Sequence, residues 1–219
     1  MLLIMPCLLL GLFAWLLNDS PGVFDRYGGP MLGVFPFILM FVVTSVTTLR
    51  ERRSGTLERL LTTPLGKADF IVGYALAFGL LAILQAIITV GFTVFILEMK
   101  IDGSSWQLGL VTVLVAILGT ALGLFASAFA KTEFQAVQFM PIIVFPQLLM
   151  GGLLIPREKM PEALQAISDW LPFSYAIDAA NAAVAGDDDW TLWFPLLVIA
   201  GASMLSLVLA SLTLRRRTA

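Results

Sequence analysis

The sequence predicts an all-α integral membrane protein with six transmembrane helices, a short cytoplasmic helix and an outer helical hairpin. The 219-residue chain is 59% hydrophobic and 13% charged, whereas soluble domains carry about 25% charged residues. Six apolar runs contain no Asp, Glu, Lys or Arg, and about 20 such residues span a bilayer. A chain with so few charges cannot cover itself with a wetted surface, so we expect most of it to face lipid.

The apolar runs are predicted as spans in chain order. Residues 1–17 form the first span, since no basic region and no small-residue cleavage site indicates a signal peptide. Residues 18–30 hold Gly and Pro clusters typical of a turn-rich loop. The later spans are predicted at residues 31–49, 70–97, 108–130, 134–155 and 190–214.

Two spans carry residues that affect how helices pack. Gly119 and Gly123 lie in the fourth span, and small residues let helices approach closely in lipid. Pro141 and Pro146 lie in the fifth span, which is therefore predicted to be kinked or broken. Residues 156–189 follow as the predicted outer hairpin.

The distribution of basic residues predicts the orientation, because short cytoplasmic loops are rich in Lys and Arg. With six spans, nine of the 13 Lys and Arg residues lie on the side of the termini, and 11 of the 15 acidic residues lie on the other side. Both termini are therefore predicted to be cytoplasmic, in a multi-pass protein of the cytoplasmic membrane. The nine are Arg50, Arg52, Arg53, Arg59, Lys67, Lys131, Arg215, Arg216 and Arg217.

The sequence offers little to support chemistry of its own. It has no His and a single Cys, Cys7, so we expect no metal site and no catalytic residue. It also lacks a Gly-x-x-x-x-Gly-Lys-Ser/Thr phosphate loop. Any uphill transport would then take its energy from another polypeptide. Candidate substrate-pathway residues are Gln85, Gln138 and Gln147, although a helix–helix hydrogen bond is the more common role of such side chains.

A charged segment between the second and third spans is the largest predicted cytoplasmic feature. Leu57, Leu60 and Leu61 are spaced as one apolar stripe of a short helix over residues 54–63, and Pro64 would end it. Two interpretations remain open from the spacing. The helix docks a cytoplasmic partner, or it is a juxtamembrane stop signal that binds anionic lipid.

Two motifs resemble those of type-2 ABC exporter permeases. Residues 48–64 read TLRERRSGTLERLLTTP, which is similar to the family's Arg-Glu-Arg/Lys-x-x-Gly-Thr-Leu/Glu-Glu-x-Leu motif. Residues 145–156 read FPQLLMGGLLIP, which resembles the family's fifth span where it enters an outer hairpin. More narrowly, the chain resembles the antibiotic- and daunorubicin-resistance permeases.

The resemblance implies a membrane subunit that pairs with a second permease copy, as a homodimer, and with a cytoplasmic ATP-binding subunit. ATP and Mg would bind that subunit, and this chain would hold no cofactor. Residues 54–63 would be the coupling helix. Family members usually begin with a cytoplasmic connecting helix, whereas this sequence starts inside the first span, so we expect a late start or a trimmed N-terminus. The implied contact set is Glu51, Arg53, Gly55, Thr56, Glu58, Arg59 and Leu60.

The predicted outer hairpin contains an apolar stripe with a tryptophan. Leu164 and Ile167 are spaced on one helix face, and Trp170 fits an aromatic belt at a membrane interface. These three residues are candidates for an outer gate. The alternative is an interfacial cap that packs on the spans.

The function predicted from these observations is the permease subunit of an ATP-driven exporter of an amphipathic drug, antibiotic or lipid-like compound. The alternative is a non-transporting membrane scaffold or lipid-binding protein whose basic segment binds anionic lipid. A membrane-embedded enzyme fits least, because no paired acid or activated nucleophile lies in or beside a span.

Overall fold

The computed structural model describes residues 3–19, 22–54 and 67–213, and in these ranges all regular structure is helical. We number the α-helices found there α1 to α8. A π-helical turn, Phe92–Ile96, extends α3, and a 3-10 turn, Arg157–Lys159, precedes α6. The helices are α1 (Met5–Leu16), α2 (Val23–Arg53), α3 (Lys67–Gly91), α4 (Ser105–Ser127), α5 (Glu133–Met150), α6 (Glu162–Ser168), α7 (Pro172–Ala185) and α8 (Trp190–Thr213).

Five of the described helices are long and apolar enough to cross a membrane: α2, α3 with its π-helical turn, α4, α5 and α8. Within the described ranges, the predicted all-α fold with apolar helices of membrane-spanning length is therefore confirmed. Helix α1 has 12 residues, which rise about 18 Å against a hydrocarbon core of about 30 Å. The count of six spans consequently stays a prediction.

The turn-rich loop predicted over residues 18–30 is wrong from Val23 onward, where α2 already begins. Gly28 and Gly29 of this predicted loop serve close packing instead of turns. A Cβ on Gly28 would lie 2.6 Å from the Met99 sulfur, and one on Gly29 would lie 2.5 Å from a methyl carbon of Val184. The close approach of neighbouring segments thus explains residues that resemble turn signals.

The centre of the fold is the contact between α2 and α4. A Cβ on Gly119 would lie 2.4 Å from the carbonyl oxygen of Phe37, and one on Gly123 would lie 2.6 Å from that of Phe41. The two backbones therefore touch, as the small residues predicted. Phe37 also packs on Phe173 of α7, with ring centroids 4.8 Å apart.

Helices α3 and α5 leave much of their apolar surface exposed within one chain. In the most apolar 18-residue stretch of α4, 61% of the residues are buried within the chain, whereas the share is 22% for α3 and 17% for α5. Helix α5 runs through Pro141 and Pro146 without interruption and ends at Met150, five residues before the predicted end of its span. Gly152 follows with φ of +94°, a conformation that suits glycine.

Candidate coupling site and transport pathway

The C-terminal end of α2 concentrates basic side chains. Arg50, Arg52 and Arg53 occupy its last turn, where the helix dipole favours positive charge. Arg50 donates two hydrogen bonds to Glu133, the first residue of α5: its Nε lies 2.8 Å from Oε1 and its Nη2 lies 2.8 Å from Oε2. This paired geometry fixes orientation as well as distance.

A second arginine in the last turn of α2 binds the end of α4. Arg52 donates from Nη1 to the carbonyl oxygen of Ser127, the last residue of α4, at 2.7 Å. Leu49 packs with Ala130 and Ala136 in a small apolar cluster beside these bonds. The end of α2 therefore binds the residues on both sides of the α4–α5 turn, residues 128–132.

The α4–α5 turn is also fixed by its own hydrogen bonds. The Thr132 hydroxyl accepts from the Gln135 N–H at 3.1 Å and so caps α5. The Gln135 side-chain oxygen accepts from the Lys131 N–H at 2.8 Å. These two bonds give α5 a defined starting point.

The predicted coupling contacts fall partly within this region. Glu51 is half-buried and Arg53 is exposed at the end of α2. Ser54 follows as a turn residue whose N–H donates to the Arg50 carbonyl. The remaining predicted contacts lie outside the described residues, as does nearly all of the predicted helix over residues 54–63; they are Gly55, Thr56, Glu58, Arg59 and Leu60.

The three candidate pathway glutamines occupy different environments. Gln85 is fully buried in α3, on a face with Thr89, whose hydroxyl donates to the Gln85 carbonyl at 2.7 Å. Gln147 donates to the Ile143 carbonyl at 2.9 Å and accepts from the Phe173 N–H at 3.4 Å. It therefore connects α5 to the start of α7. Gln138 is exposed.

Gln138 lies on the exposed face of α5 among large apolar side chains. Phe134 is 73% exposed, Ile142 is 67% exposed and Leu149 is 60% exposed. With Phe145, their spacing places them along one side of the helix. We call Phe134, Gln138, Ile142, Phe145 and Leu149 the α5 stripe.

The predicted gate residues lie in and just after α6 with exposed side chains. Leu164 is 40% exposed, Ile167 is 48% exposed and Trp170 is 89% exposed. The Ser168 hydroxyl, on the inner side of α6, donates to the Met150 carbonyl at 2.6 Å. This bond ties α6 to the end of α5.

An ion-pair network beside α6 was not predicted from the sequence. Arg157 pairs with Asp169 and with Asp178, and its guanidinium carbon lies 5.4 Å from the centre of the Tyr175 ring. The Tyr175 hydroxyl donates to the Asp169 carbonyl at 2.9 Å. Burial raises the pKa of the Asp178 carboxyl, and the Arg157 charge opposes that rise. The sequence signal was an acid, Asp178, within an apolar helix.

The apolar helices and the charged end of α2 define a multi-pass membrane protein. The chain belongs to the ABC-2 type transporter family, whose model matches residues 1–184. The resemblance seen in the two sequence motifs is thereby confirmed.

Curated relatives share modest identity with the chain. "Probable multidrug ABC transporter permease YbhR" of Escherichia coli (strain K12) is 27% identical over 173 residues, 77% of this chain and 47% of the relative. "Inner membrane transport permease YhhJ" of the same strain is 26% identical over 190 residues, 84% of this chain and 51% of the relative. "ABC transporter G family member 20" of Dictyostelium discoideum is 26% identical over 162 residues, 74% of this chain and 22% of the relative. The chain spans about half the length of the two bacterial relatives.

Proposed function

We propose that this chain is the permease subunit of an ATP-driven ABC exporter that moves an amphipathic drug, antibiotic or lipid-like compound across the cytoplasmic membrane. Membership of the ABC-2 type transporter family over residues 1–184 is the observation that carries the proposal. The names of two relatives, a probable multidrug permease and an inner membrane transport permease, agree with it.

Energy would come from a separate ATP-binding subunit that holds ATP and Mg. That subunit would dock on the coupling helix over residues 54–63 and on the adjoining end of α2. The exposed Arg53 and half-buried Glu51 support this placement, because charged side chains at the end of an apolar helix belong in water or against a polar partner. Both termini would lie on the same, cytoplasmic side.

A second copy of the chain would complete the permease by packing on α5. Only 17% of the apolar window of α5 is buried within one copy, and the α5 stripe would supply the contact. In such a homodimer, Gln138 would face the partner copy and Gln147 would lie near the outer end of the pathway. Gln85, buried in α3, would line the pathway only if α3 moved.

Release to the outer side would involve the hairpin of α6 and α7. The exposed side chains of Leu164, Ile167 and Trp170 would contact the outer leaflet, and we propose that they form the gate. Clustered exposed apolar side chains mark contact sites for lipid, ligands or other proteins, which supports this placement.

A vesicle transport assay tests this function. The permease is reconstituted with the ATP-binding subunit that co-purifies with it, and a panel of fluorescent lipophilic cations and lipids is supplied. We expect ATP to drive accumulation of at least one compound, and ATP with vanadate to prevent it. Equal accumulation in vesicles lacking the permease would contradict the proposal.

A further inference from the structure

Side-chain hydrogen bonds join helix α5 to other helices at its two ends. Between these ends Val144 packs in the hydrophobic core, but in all 17% of the residues of the helix are buried. At one end, Glu133 accepts both hydrogen bonds from Arg50 of α2. At the other end, the Met150 carbonyl accepts from the Ser168 hydroxyl, and Gln147 accepts from the Phe173 N–H. These end contacts therefore help to fix the orientation of α5.

Arg50 and Arg52 of α2 bind two helices that differ in how much of their surface is buried. Arg52 is bonded to the end of α4 through the Ser127 carbonyl, and α4 is held in the core by contact with α2 along its length. Arg50 is bonded to the start of α5. A displacement of the α2 end would therefore be resisted by α4 and followed by α5.

We propose that the Arg50–Glu133 ion pair is a positioning pair that transmits displacement of the proposed coupling helix, residues 54–63, to α5. This inference rests on the proposed function, because the movement would begin when the ATP-binding subunit acts on that segment. Arg50 lies four residues before Ser54, where the segment starts, and α2 is helical up to Arg53. The pair thus connects the end of α2, next to the proposed coupling helix, to the helix that carries the α5 stripe and ends at the predicted outer hairpin.

The pair suits this role because it is directional and solvent-accessible. Its side chains are 66% and 44% exposed, so exposed pairing of this kind contributes little to folding stability. The two parallel N–H···O bonds nevertheless define the angle between the α2 end and the first turn of α5. Loss of the pair should therefore affect transmission more than folding.

The test measures movement at the far end of α5 without needing the substrate. In a background with Cys7→Ala, Ile155→Cys is introduced just beyond α5, where the side chain is 54% exposed. Asp187→Cys, in the exposed loop before α8, serves as the reference site. The permease is purified with its co-purifying ATP-binding subunit, and labelling by a water-soluble maleimide is timed with and without ATP plus vanadate.

With the native pair, we expect ATP plus vanadate to change the labelling rate at Ile155→Cys. Arg50→Glu or Glu133→Arg should reduce that change about 5-fold or more, in line with typical coupling between sites. The exchange that combines both substitutions should restore it. Glu133→Gln, which removes the pair without placing two like charges together, should also reduce the change. Lys131→Glu alters the charge of the same turn and should leave the change intact, as should the response at Asp187→Cys in every variant.

The outcomes separate this inference from the proposed function. If the native permease retains no ATP-binding subunit, the proposed function fails and the inference fails with it. If the native permease responds and the single variants respond equally, the inference alone is wrong. It is also wrong if the exchange does not restore the response, or if the single variants lose the ATP-binding subunit, since the pair would then act in docking.

Discussion

Arg157 shows how one side chain can hold an irregular part of the chain together. It is 16% exposed at the side chain and pairs with Asp169 after α6 and Asp178 within α7. Gln165 of α6 also donates to its backbone carbonyl at 3.2 Å. One residue therefore joins the 3-10 turn to both helices of the hairpin.

Replacing Arg157 with Ala should destabilise the hairpin. The change leaves Asp178 partly buried without its counter-charge, which should cost about 1–2 kcal/mol because that carboxyl keeps some contact with water. Thermal unfolding of the purified protein in detergent measures the loss. Lys159→Ala, an exposed change in the same 3-10 turn, is the matched control and should be near neutral; equal losses in both variants would contradict the assignment.

The deficit of Arg157→Ala should depend on pH. Burial raises the folded-state pKa of Asp178, and the charge of Arg157 opposes that rise. The substitution removes this opposing charge. A raised carboxyl pKa favours the folded state below the unfolded pKa and loses that contribution as pH rises through the folded pKa. The deficit should therefore shrink as pH is lowered from about 7 toward the ordinary Asp pKa of about 4. Unfolding scans across this range check it, and a constant deficit would argue against the charge as the cause.

At the scale of elements, the contact of α2 with α4 depends on two glycines. A methyl group on Gly119 would lie 2.4 Å from the Phe37 carbonyl oxygen, and backbone cannot rotate away as a flexible side chain can. Gly109 lies on the same helix, and a Cβ there would meet nothing within 4 Å. The two positions therefore allow the same substitution to be compared in tight and open surroundings.

Gly119→Ala should destabilise the permease, and Gly109→Ala should not. Overpacking in a fixed core costs about 1–3 kcal/mol, and the approach to backbone places Gly119→Ala at the upper end of that range. Gly109→Ala should be neutral or slightly stabilising because alanine favours helix over glycine. Thermal unfolding in detergent measures both; similar stability of the two variants would show that α2 and α4 separate easily.

The sequence predicted these spans well because burial in lipid demands long apolar runs, which are a local signal. The close packing of α4 was also predictable, since Gly119 and Gly123 are four residues apart. The start of α2 was not predictable, because Gly28 and Gly29 are typical of turns in sequence. Their packing role follows from the contacts with Met99 and Val184, which depend on the fold.

The missed contacts were those between residues far apart in the sequence. Arg50 and Glu133 are separated by 83 residues, and Arg157 and Asp178 by 21. Arg50, Glu133 and Arg157 taken alone are typical of a loop or a helix end, and the partner of each depends on how the helices pack. The positions of these pairs therefore required the fold, whereas the charged segment over residues 48–64 was visible as a local motif.

At the scale of the whole molecule, the proposed coupling helix, residues 54–63, should decide whether an ATP-binding subunit stays bound. Exchanging its charges with Glu58→Arg and Arg59→Glu keeps the net charge but reverses each predicted contact. We expect the variant to insert in the membrane normally and to retain less of the ATP-binding subunit, measured by co-purification in mild detergent. Retention equal to that of the native permease would rule out the proposed docking role of these two residues.

The uncovered face of α5 should be the contact between two copies of the chain. Cysteine placed on the α5 stripe as Leu149→Cys, in the Cys7→Ala background, should form a disulfide-linked dimer in native membranes on mild oxidation. Leu149 is 60% exposed within one copy, and Met204 of α8 is 69% exposed. Met204→Cys therefore presents a thiol at least as freely but on a different helix.

Exposure to lipid alone would allow random collisions at both positions, whereas a specific dimer should link through α5 far more efficiently. Non-reducing electrophoresis of membranes oxidised over a time course measures the two rates. Dilution of the expressed permease in the membrane should slow collisional linking through Met204→Cys, but it should leave linking through Leu149→Cys unchanged if the dimer is stable. Equal rates at both positions, or linking through α8 alone, would overturn the assignment of α5 as the contact and would leave its apolar stripe facing lipid.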